Sequence, residues 1–430
     1  MNSPLRIALA GLGTVGGGVV KLLDENRDLI ARRAGRPIEI VAISARDRSR
    51  DRGVDLSRFE WVDDTSSLAE RDDVDVVVEL IGGSDGPAVA LVRSAIASGK
   101  AVVTANKAMI AHHGLELAGA AERAGTALKY EAAVAGGIPI IKAIREGAAA
   151  NRIDRVYGIL NGTCNYILTE MEENGAAFAD VLAEAQRLGY AEADPTFDID
   201  GIDAAHKLAI LASLAFGSEI DFASVLTSGI RAVAATDIAH AAELGFRVRL
   251  VGLAEVVGDR IHQRVHACLV PLTNPLAKVS GSLNAVVAEG NFVGRLFFEG
   301  RGAGEGPTAS AVVADLIDIA RGEAGPAFSM PSEHLEPIGA GEAGDRRGRY
   351  YLRLSVADET GVLAELTATL RDAGVSIDSL IQRGQAESGG VFIAIVSHET
   401  SESAVREAIE AMRASGSVLG EPMLMHILDF

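Results

Sequence analysis

Residues 5–16 read Leu-Arg-Ile-Ala-Leu-Ala-Gly-Leu-Gly-Thr-Val-Gly, and this stretch decides the fold of the first part of the chain. Its first six residues form an apolar run of strand length, and the apolar pattern of residues 19–23 is helical. A Gly-x-Gly-x-x-Gly turn between a strand and a helix lets backbone amides approach a pyrophosphate at the helix N-terminus. An ordinary glycine-rich turn is the alternative. We predict a dinucleotide-binding domain with these cofactor contacts: Gly11, Gly13, Thr14, Val15 and Gly16.

The end of the second predicted strand, residues 38–43, bears on which dinucleotide is bound. This strand leads into Arg46, Asp47 and Arg48. An acidic residue at the strand end favours the free ribose 2′-hydroxyl of NAD, whereas arginine accommodates the 2′-phosphate of NADP. We therefore expect NADP, with Arg46 as a contact, while Asp47 keeps NAD possible.

Two further strand-and-helix units extend the predicted sheet. Residues 74–80 form an almost continuous apolar run, as in a parallel strand covered on both faces, and residues 101–104 form another. Lys107 follows closely. Ligands of open α/β sheets bind outside the carboxyl ends of the strands, so Lys107 should lie where cofactor and substrate meet. A structural lysine that caps a loop is the alternative. We expect this domain to span residues 1–130.

The composition of the whole chain narrows the class of protein. A length of 430 residues suggests two or three domains. A formal net charge of −19 argues against a nucleic-acid or membrane-surface partner. No apolar run is long enough to span a bilayer, and the first apolar stretch is a strand rather than a signal peptide. The two isolated cysteines, Cys164 and Cys268, indicate a reducing compartment, so we expect a cytoplasmic enzyme.

Residues 185–207 carry the densest group of chemically useful side chains. Five carboxylates precede one lysine, Lys207, and they are Glu192, Asp194, Asp198, Asp200 and Asp203. The chain has only seven lysines against 33 arginines, and an amine, unlike a guanidinium, can change its protonation state. Asp203 and Lys207 are four residues apart at the start of an apolar helical pattern, so they should share one helix face. A solvated surface ion pair is the alternative.

Polar groups also occur in two turn segments that come earlier in the chain. Residues 129–140 lead from a strand through a glycine turn into a helix. Glu131 and free backbone carbonyls there could bind a hard cation, although a plain turn is the simpler interpretation. Residues 161–166 form a polar turn at a helix start, which suits either substrate contact or helix capping.

The second half of the chain divides into three parts. Residues 248–300 alternate as strands, and a glycine cluster precedes an apolar helix that we expect to span 307–321 and to complete the first domain. Residues 322–348 have little periodicity and predict a linker. Residues 349–430 form a separate small unit with the pattern βαββαβ.

Taken together, the chain resembles the homoserine dehydrogenases that carry a C-terminal ACT regulatory domain, and the resemblance runs nearly from end to end. It rests on the motifs at 11–16, 104–107, 131–140 and 161–163, and above all on 185–207. It implies an α/β protein with a Rossmann-type dinucleotide-binding domain, an α+β catalytic and dimerisation domain over residues 131–306, and a ferredoxin-like ACT domain. The implied reaction interconverts L-homoserine and L-aspartate 4-semialdehyde with a nicotinamide cofactor, in threonine, methionine and isoleucine biosynthesis.

The resemblance also implies roles for individual catalytic residues. Lys207 would be the proton donor, and Lys107 would assist at the substrate hydroxyl and the cofactor. Glu192 and Asp203 would hold the substrate ammonium. Further cofactor contacts are implied at Gly189 and Gly304.

A structural sodium ion, an effector and an oligomer are implied as well. The sodium ligands would be mostly backbone carbonyls, at Glu131, Val134, Gly136 and Ile138. The ACT domain is expected to bind L-threonine, an end product of the homoserine pathway, although it could serve only in oligomerisation. Since ACT units usually pair through sheet edges, a homodimer or homotetramer is expected.

The proposed chemistry agrees with the residue types. Hydride transfer to an aldehyde leaves an incipient alkoxide that needs a proton, and a partly buried lysine is a suitable acid. One rival class is a different semialdehyde-linked dehydrogenase, of the aspartate semialdehyde or diaminopimelate kind. The acylating type needs a nucleophilic cysteine, and Cys164 has no supporting motif. The other rival is a non-catalytic amino-acid sensor, which would not need Lys107 and Lys207 beside a carboxylate cluster.

Overall fold

The N-terminal part of the protein is a six-stranded parallel sheet. The computed structural model describes residues 3–385 and 390–429. The strands are β1 (Leu5–Ala10), β2 (Ile38–Ser44), β3 (Glu60–Trp61), β4 (Val76–Glu79), β5 (Ala101–Thr104) and β6 (Leu128–Lys129). Their order is β3-β2-β1-β4-β5-β6, so the direction of strand succession reverses between β1 and β4. A ligand is expected outside the carboxyl ends of the strands at this reversal.

Helices cover this sheet because its strands are apolar on both faces. These helices are α1 (Thr14–Glu25), α2 (Arg27–Ala34), α3 (Pro87–Ala97) and α4 (Lys107–Ala124). Every residue of β4 is fully buried, as are the two valines of β5. The apolar runs at 74–80 and 101–104 thus contain buried parallel strands, as the sequence predicted.

The middle of the chain forms a second, mainly antiparallel sheet. Its strands are β7 (Ile153–Ile159), β8 (Leu226–Thr227), β9 (Phe246–Val257), β10 (Arg260–Pro271), β11 (Leu283–Gly290) and β12 (Gly294–Arg301). Their order is β12-β11-β7-β9-β10, and the short β8 pairs in parallel with β10.

The helices of this middle part are α5 (Ile140–Lys142), α6 (Gly162–Asn174), α7 (Phe178–Leu188), α8 (Thr196–Ile199), α9 (Ile202–Phe216) and α10 (Ala235–Glu243). Helix α9 lies at the centre, since residues 203–214 are all buried and the helix packs on β7, β9 and β10.

A long helix, α11 (Glu305–Arg321), returns from the middle sheet to the first one. It packs against α1, and the two helices approach closely at Gly18, where an ideal Cβ would lie 2.7 Å from Glu305 Cγ. Lys21 Nζ pairs with Glu305 at 2.6 Å across the same contact. This helix contains the segment expected at 307–321, and its apolar face joins the core that includes β1 and β4.

The segment 322–348, which the sequence predicts to be a linker, is packed against the rest of the protein. Phe328 is fully buried, and Tyr130 donates its hydroxyl to the Ala327 carbonyl at 2.8 Å. The Glu336 carbonyl accepts from the Glu219 amide at 2.9 Å, so the segment also pairs with the middle domain. Apolar side chains that are isolated in sequence are enough to anchor it, which periodicity does not reveal.

The C-terminal unit continues the middle sheet. Its elements are β13 (Arg347–Gly348), β14 (Tyr350–Val356), α12 (Val362–Asp372), β15 (Ile377–Gln385), β16 (Val391–Ser397), β17 (Thr400–Ser401), α13 (Glu402–Ser415) and β18 (Met423–Ile427). The main strands are ordered β18-β14-β16-β15, the ferredoxin-like arrangement of βαββαβ. Strand β18 also pairs in parallel with β10, which makes one sheet across both units.

Among the described residues, we find no helix that combines the length and the apolar character needed to cross a membrane.

Candidate active site

Close backbone contacts at two of its glycines, Gly11 and Gly16, shape the loop between β1 and α1. Gly11 has a φ of +101°, and an ideal Cβ there would lie 2.5 Å from the Leu80 carbonyl oxygen. An ideal Cβ at Gly16 would lie 2.2 Å from the Gly11 carbonyl oxygen, whereas nothing lies within 4 Å of one at Gly13. The backbone at the start of α1 is therefore open to a ligand, as a pyrophosphate requires.

Arginines line a hollow of about 210 Å³ beside this loop, but they are not the arginine named from the sequence. Arg50 and Arg52 line it together with Thr14, and Arg52 donates from Nε to the Leu12 carbonyl at 2.8 Å. Arg46 is exposed and is not part of this lining. The missed signal was the alternation of arginine at every second position over residues 46–52.

Asp203 is the centre of the polar cluster predicted from residues 185–207. Its Oδ2 accepts from Lys207 Nζ at 2.7 Å and from Asn161 Nδ2 at 2.8 Å. Its Oδ1 lies 3.1 Å from Lys107 Nζ. The carboxylate is buried and sits in the first turn of α9, where the helix dipole favours a negative charge. The prediction that Asp203 and Lys207 share a helix face agrees with this contact.

Lys207 is held inside the protein by two acceptors. Besides Asp203, its ammonium donates to the Leu160 carbonyl at 2.7 Å, just after the end of β7. Its side chain is only 10% exposed, so the solvated surface pair considered from the sequence does not describe it. An ammonium has three N–H donors, and these two contacts leave one for a ligand in the adjoining cleft.

Lys107 approaches the same carboxylate from the first domain. It is the first residue of α4, whose N-terminus Asn106 caps by accepting from the Met109 amide at 3.0 Å. The Lys107 side chain is 32% exposed, and its ammonium lies 5.8 Å from the ring centroid of Phe197. The carboxyl end of β5 thus delivers a second amine to Asp203 from a different domain.

Charge and burial act in opposite directions on the two acids of this cluster. Burial alone would raise the pKa of Asp203, but the nearby ammonium groups of Lys207 and Lys107 hold that pKa well below its usual value. Burial raises the pKa of Asp198, whose Oδ1 accepts from Asn161 Nδ2 at 2.7 Å. Asn161 therefore links the two carboxylates, a connection that the sequence did not suggest.

These residues face a cleft of about 670 Å³ between the first and middle domains. The cleft brings together many of the residues predicted from the sequence: Val15, Lys107, Gly136, Gly189, Asp203, Lys207 and Gly304. Asn161, Thr163 and Asp198 line it as well. The cleft thus connects the glycine loop with the paired lysines, as a site for hydride transfer between a dinucleotide and a small polar substrate requires.

Glu192 and Asn284 are the two residues at which sequence reasoning and structure diverge most. Glu192 is exposed and does not line the cleft, and its described hydrogen bond is through its backbone carbonyl to Gln186. Asn284 lines the cleft with a buried amide that has no hydrogen-bond partner among the described residues. It lies at the start of β11, where no sequence motif marked it.

Glu131 occupies the predicted cation turn as a buried helix cap. Its carboxylate accepts from the amides of Ile141 at 3.0 Å and Lys142 at 2.9 Å, while its own amide donates to Asp315 Oδ2 at 2.8 Å. Burial, aided by the Asp315 charge, raises the pKa of Glu131 to about 7.

The neighbouring loop contains the other predicted cation ligands. Val134 and Ile138 are buried, and an ideal Cβ at Gly136 would lie 2.5 Å from the Gly302 carbonyl oxygen. Within residues 3–385 and 390–429, no group of three or more His, Cys, Asp or Glu side chains is placed to hold a metal ion. A cation at this turn would therefore depend on backbone carbonyls beside Glu131.

Comparisons with known families cover most of the chain. A model described as "Homoserine dehydrogenase, NAD binding domain" matches residues 11–131, and one described as "Homoserine dehydrogenase" matches residues 139–317. An "ACT domain" model matches residues 350–414.

Individual proteins agree with the family models. The chain is 47% identical over 417 residues to homoserine dehydrogenase of Neisseria gonorrhoeae, which covers 96% of this chain and 95% of that protein. The crystal structure of a homoserine dehydrogenase from Thiobacillus denitrificans has a TM-score of 0.94 at 44% identity, with 99% of each chain covered. A hyperthermophilic archaeal homoserine dehydrogenase in complex with NADPH has a TM-score of 0.62 at 27% identity, covering 74% of this chain and 97% of that one.

Proposed function

The chain belongs to the homoserine dehydrogenase family of oxidoreductases, as its motifs predicted, and from that premise we propose how its own residues carry out the reaction. The reaction is the interconversion of L-homoserine and L-aspartate 4-semialdehyde. The observation that carries the proposal is that Asp203 holds the ammonium groups of Lys207 and Lys107 in a cleft reached by the glycine loop. When bound there, a nicotinamide cofactor supplies or accepts the hydride.

Lys207 is proposed as the general acid and base. When the aldehyde is reduced, the carbonyl oxygen gains negative charge and takes a proton from Lys207 Nζ. When homoserine is oxidised, the neutral amine removes the hydroxyl proton. The bonds to Leu160 and Asp203 fix the nitrogen, so the remaining N–H points to a defined place.

Lys107 is proposed to assist at the same substrate oxygen and at the cofactor. Its ammonium is more exposed than that of Lys207 and makes a longer contact with Asp203, so it has more freedom to shift toward a ligand. A second positive charge beside the substrate oxygen stabilises the developing alkoxide.

The substrate ammonium is proposed to bind between Asp203 and Glu192. Asp203 supports this role because it lies in the cleft beside the reacting amine. Glu192 lies on the segment between α7 and α8, so its part in binding requires that this segment turn its carboxylate inward when substrate enters. Loss of affinity for homoserine in a Glu192 variant is the test.

NADP is the proposed cofactor, with NAD as the alternative. Support comes from Arg50 and Arg52 beside the glycine loop, which suit the extra phosphate of NADP. The solved structure of the related archaeal homoserine dehydrogenase is of a complex with NADPH. We also keep Gly189 and Gly304 as proposed cofactor contacts, because both line the cleft.

A structural sodium ion is proposed beside Glu131, with backbone carbonyls of Val134, Gly136 and Ile138. The donor set fits, because Glu131 has a buried carboxylate, the Asp315 carboxylate accepts from the Glu131 amide, and a hard cation prefers oxygen ligands. The ion would reduce the repulsion between these carboxylates and would rigidify the turn that lines the cleft.

The C-terminal ACT domain is proposed to bind L-threonine and to lower activity as feedback, in a homodimer or homotetramer. The support is its ferredoxin-like fold and its continuous sheet with the catalytic unit through β10 and β18. We also propose that the enzyme serves threonine, methionine and isoleucine biosynthesis in the cytoplasm, in keeping with two buried, unpaired cysteines.

An acylating semialdehyde dehydrogenase is disfavoured by the state of Cys164. Burial raises the pKa of this thiol well above its usual value, and the thiol donates to the Asp198 carbonyl at 3.2 Å. A nucleophilic cysteine needs the opposite shift. The deciding experiment measures NADPH formation from NADP⁺ with L-homoserine, and with L-aspartate 4-semialdehyde plus phosphate. NADPH formation with homoserine but not with the aldehyde and phosphate supports the proposal. Phosphate-dependent oxidation of the aldehyde would reject it.

A further inference from the structure

A second pocket lies at the junction between the middle domain and the ACT domain. We call it the seam pocket, and its volume is about 450 Å³. One side is formed by β10 and residues 226–229, and the other by α13, β18 and the residue before it, Pro422. Along one edge of β10, β8 pairs at residues 264–265 and β18 pairs at 268–269, so the pocket lies between two strands that come from different domains.

Charged side chains inside the seam pocket leave a positive surplus. Glu402 is almost fully buried, and its two carboxylate oxygens accept from Arg264 at 2.7 Å and from Arg406 at 2.6 Å. Glu402, Arg264 and Arg406 are the charged residues that line the seam pocket, so two guanidinium groups share one carboxylate. The Arg406 side chain is 62% exposed, and its Nη1 is not used in the bonds to Glu402. An anionic group could therefore bind without displacing Glu402.

The second observation that indicates a ligand is the unpaired state of the buried His266 ring. His266 lines the seam pocket, is 8% exposed, and neither of its ring nitrogens has a hydrogen-bond partner among the described residues. Burial and the nearby arginines hold its pKa well below the usual value, so the ring is neutral and offers one donor and one acceptor. Buried polar groups are usually paired, and those left unpaired call for an explanation.

We propose that the seam pocket binds a small acid that also carries an amino or hydroxyl group, with its carboxylate at Arg406 and Arg264 and its second polar group at His266. The inference rests on the proposed regulation, and it assigns L-threonine to this pocket. The ligand touches both domains, so its binding depends on how they sit against each other.

The seam pocket is linked directly to the catalytic helix. Residues 226–229 line the pocket, and the next residue, Ile230, donates its amide to the Ile199 carbonyl at 2.9 Å. Ile199 ends α8, three residues before α9 begins. Val265 also lines the pocket, and its Cγ1 lies 3.0 Å from an ideal Cβ at Gly201. A ligand that shifts this loop or β10 therefore acts on the start of the helix that carries Asp203 and Lys207.

The experiment measures binding of L-threonine to the full chain by calorimetry, together with its inhibition of homoserine oxidation. Two variants test the pocket: Arg406→Gln removes the exposed charge, and His266→Leu removes two unpartnered ring nitrogens. Arg413→Gln is the matched control, since Arg413 lies on the same helix but pairs with Glu410 outside the pocket. The probe 1-amino-2-propanol, which lacks the carboxylate, is tested beside threonine.

Each pocket variant should weaken threonine binding roughly tenfold or more, as the loss of a charge-assisted or buried hydrogen bond implies. Activity without threonine and the melting temperature should not fall, and Arg413→Gln should match the wild type. If threonine inhibits the wild type and both pocket variants equally, the seam pocket is not the site, although the proposed regulation stands. If threonine neither binds nor inhibits the wild type, the regulation fails and this assignment fails with it. Equal binding of 1-amino-2-propanol would overturn the carboxylate role.

Discussion

Replacing Asp203 with asparagine removes the charge on which the two lysines of the cleft, Lys207 and Lys107, converge. The substitution keeps the size of the side chain and its place in the first turn of α9. It leaves Lys207, which is 10% exposed, without its carboxylate, and it leaves Lys107 without its described ion pair. We expect the variant to lose both stability and homoserine oxidation.

The burial of the two lysines determines how much stability the Asp203→Asn variant should lose. Breaking a buried ion pair by removing one partner typically costs about 3–5 kcal/mol, because the other charge stays buried. Lys207 meets that condition, whereas Lys107 is one-third exposed and can be solvated by water, so it should add less than about 1 kcal/mol. Retention of the Asn161 and Leu160 contacts offsets part of the loss. The expected decrease in the free energy of unfolding is therefore about 3 kcal/mol at neutral pH.

The measurement is urea unfolding followed by circular dichroism at several pH values. Because the folded pKa of Asp203 is lowered, its charge stabilises the protein at pH values above the unfolded pKa of about 4, and this stabilisation is lost as pH falls through the folded pKa. The difference between wild type and variant should therefore be full at pH 7 and should shrink in acid. Asp200→Asn is the control, since Asp200 pairs with Arg231 at the surface and should cost less than about 1 kcal/mol.

A loss no larger than that of Asp200→Asn would refute the argument. It would mean that the lysines are held by other contacts and that Asp203 does not organise them. A loss that is the same at pH 7 and at pH 3 would also contradict it, because the effect would then come from packing rather than from charge.

Three further predictions concern the proposed ligands. Glu192→Gln should raise KM for homoserine by roughly 10-fold or more with a smaller change in kcat, because a charge-assisted hydrogen bond is lost. An unchanged kcat/KM would mean that Glu192 remains a surface residue. Replacing both Arg50 and Arg52 with glutamine should weaken NADP⁺ far more than NAD⁺, measured as kcat/KM for each cofactor, and equal weakening would remove the proposed phosphate contact. Because the pKa of Glu131 is raised to about 7, its ionisation costs stability as pH rises from about 4 through 7. Sodium chloride, compared with choline chloride, should therefore raise the melting temperature more at pH 8 than at pH 6. This difference between the two pH values should vanish in Glu131→Gln.

The sequence was informative where a contact is local or a backbone shape is required. The glycines at 11–16 predict the tight turn because only glycine fits against Leu80 and Gly11, and the spacing of Asp203 and Lys207 predicts their shared helix face. Distant contacts were less accessible. The position of Lys107 after a strand predicted only that it would lie where cofactor and substrate meet. Its contact with Asp203, which belongs to another domain, was not predicted.

Contacts set by surface shape could not be predicted from the sequence. The pairing of β18 with β10 joins strands that are more than 150 residues apart, and nothing in the pattern of either strand specifies the partner. That Arg50 and Arg52, rather than Arg46, line the hollow beside the glycine loop depends on how the loop after β2 folds back on α1. The anchoring of residues 322–348 depends on a few separate apolar side chains such as Phe328, which give no periodic signal.

The Lys207→Ala variant tests whether Lys207 transfers the proton in homoserine oxidation. The measurement is kcat for NADP⁺-dependent oxidation of L-homoserine, with NADPH binding to the same variant followed by fluorescence. A missing general acid or base costs roughly 10²–10⁴ in rate, so kcat should fall by that factor while the Kd of NADPH stays within about threefold. A variant that keeps more than about a third of the wild-type kcat would contradict the account, since general acid–base catalysis accounts for a far larger factor.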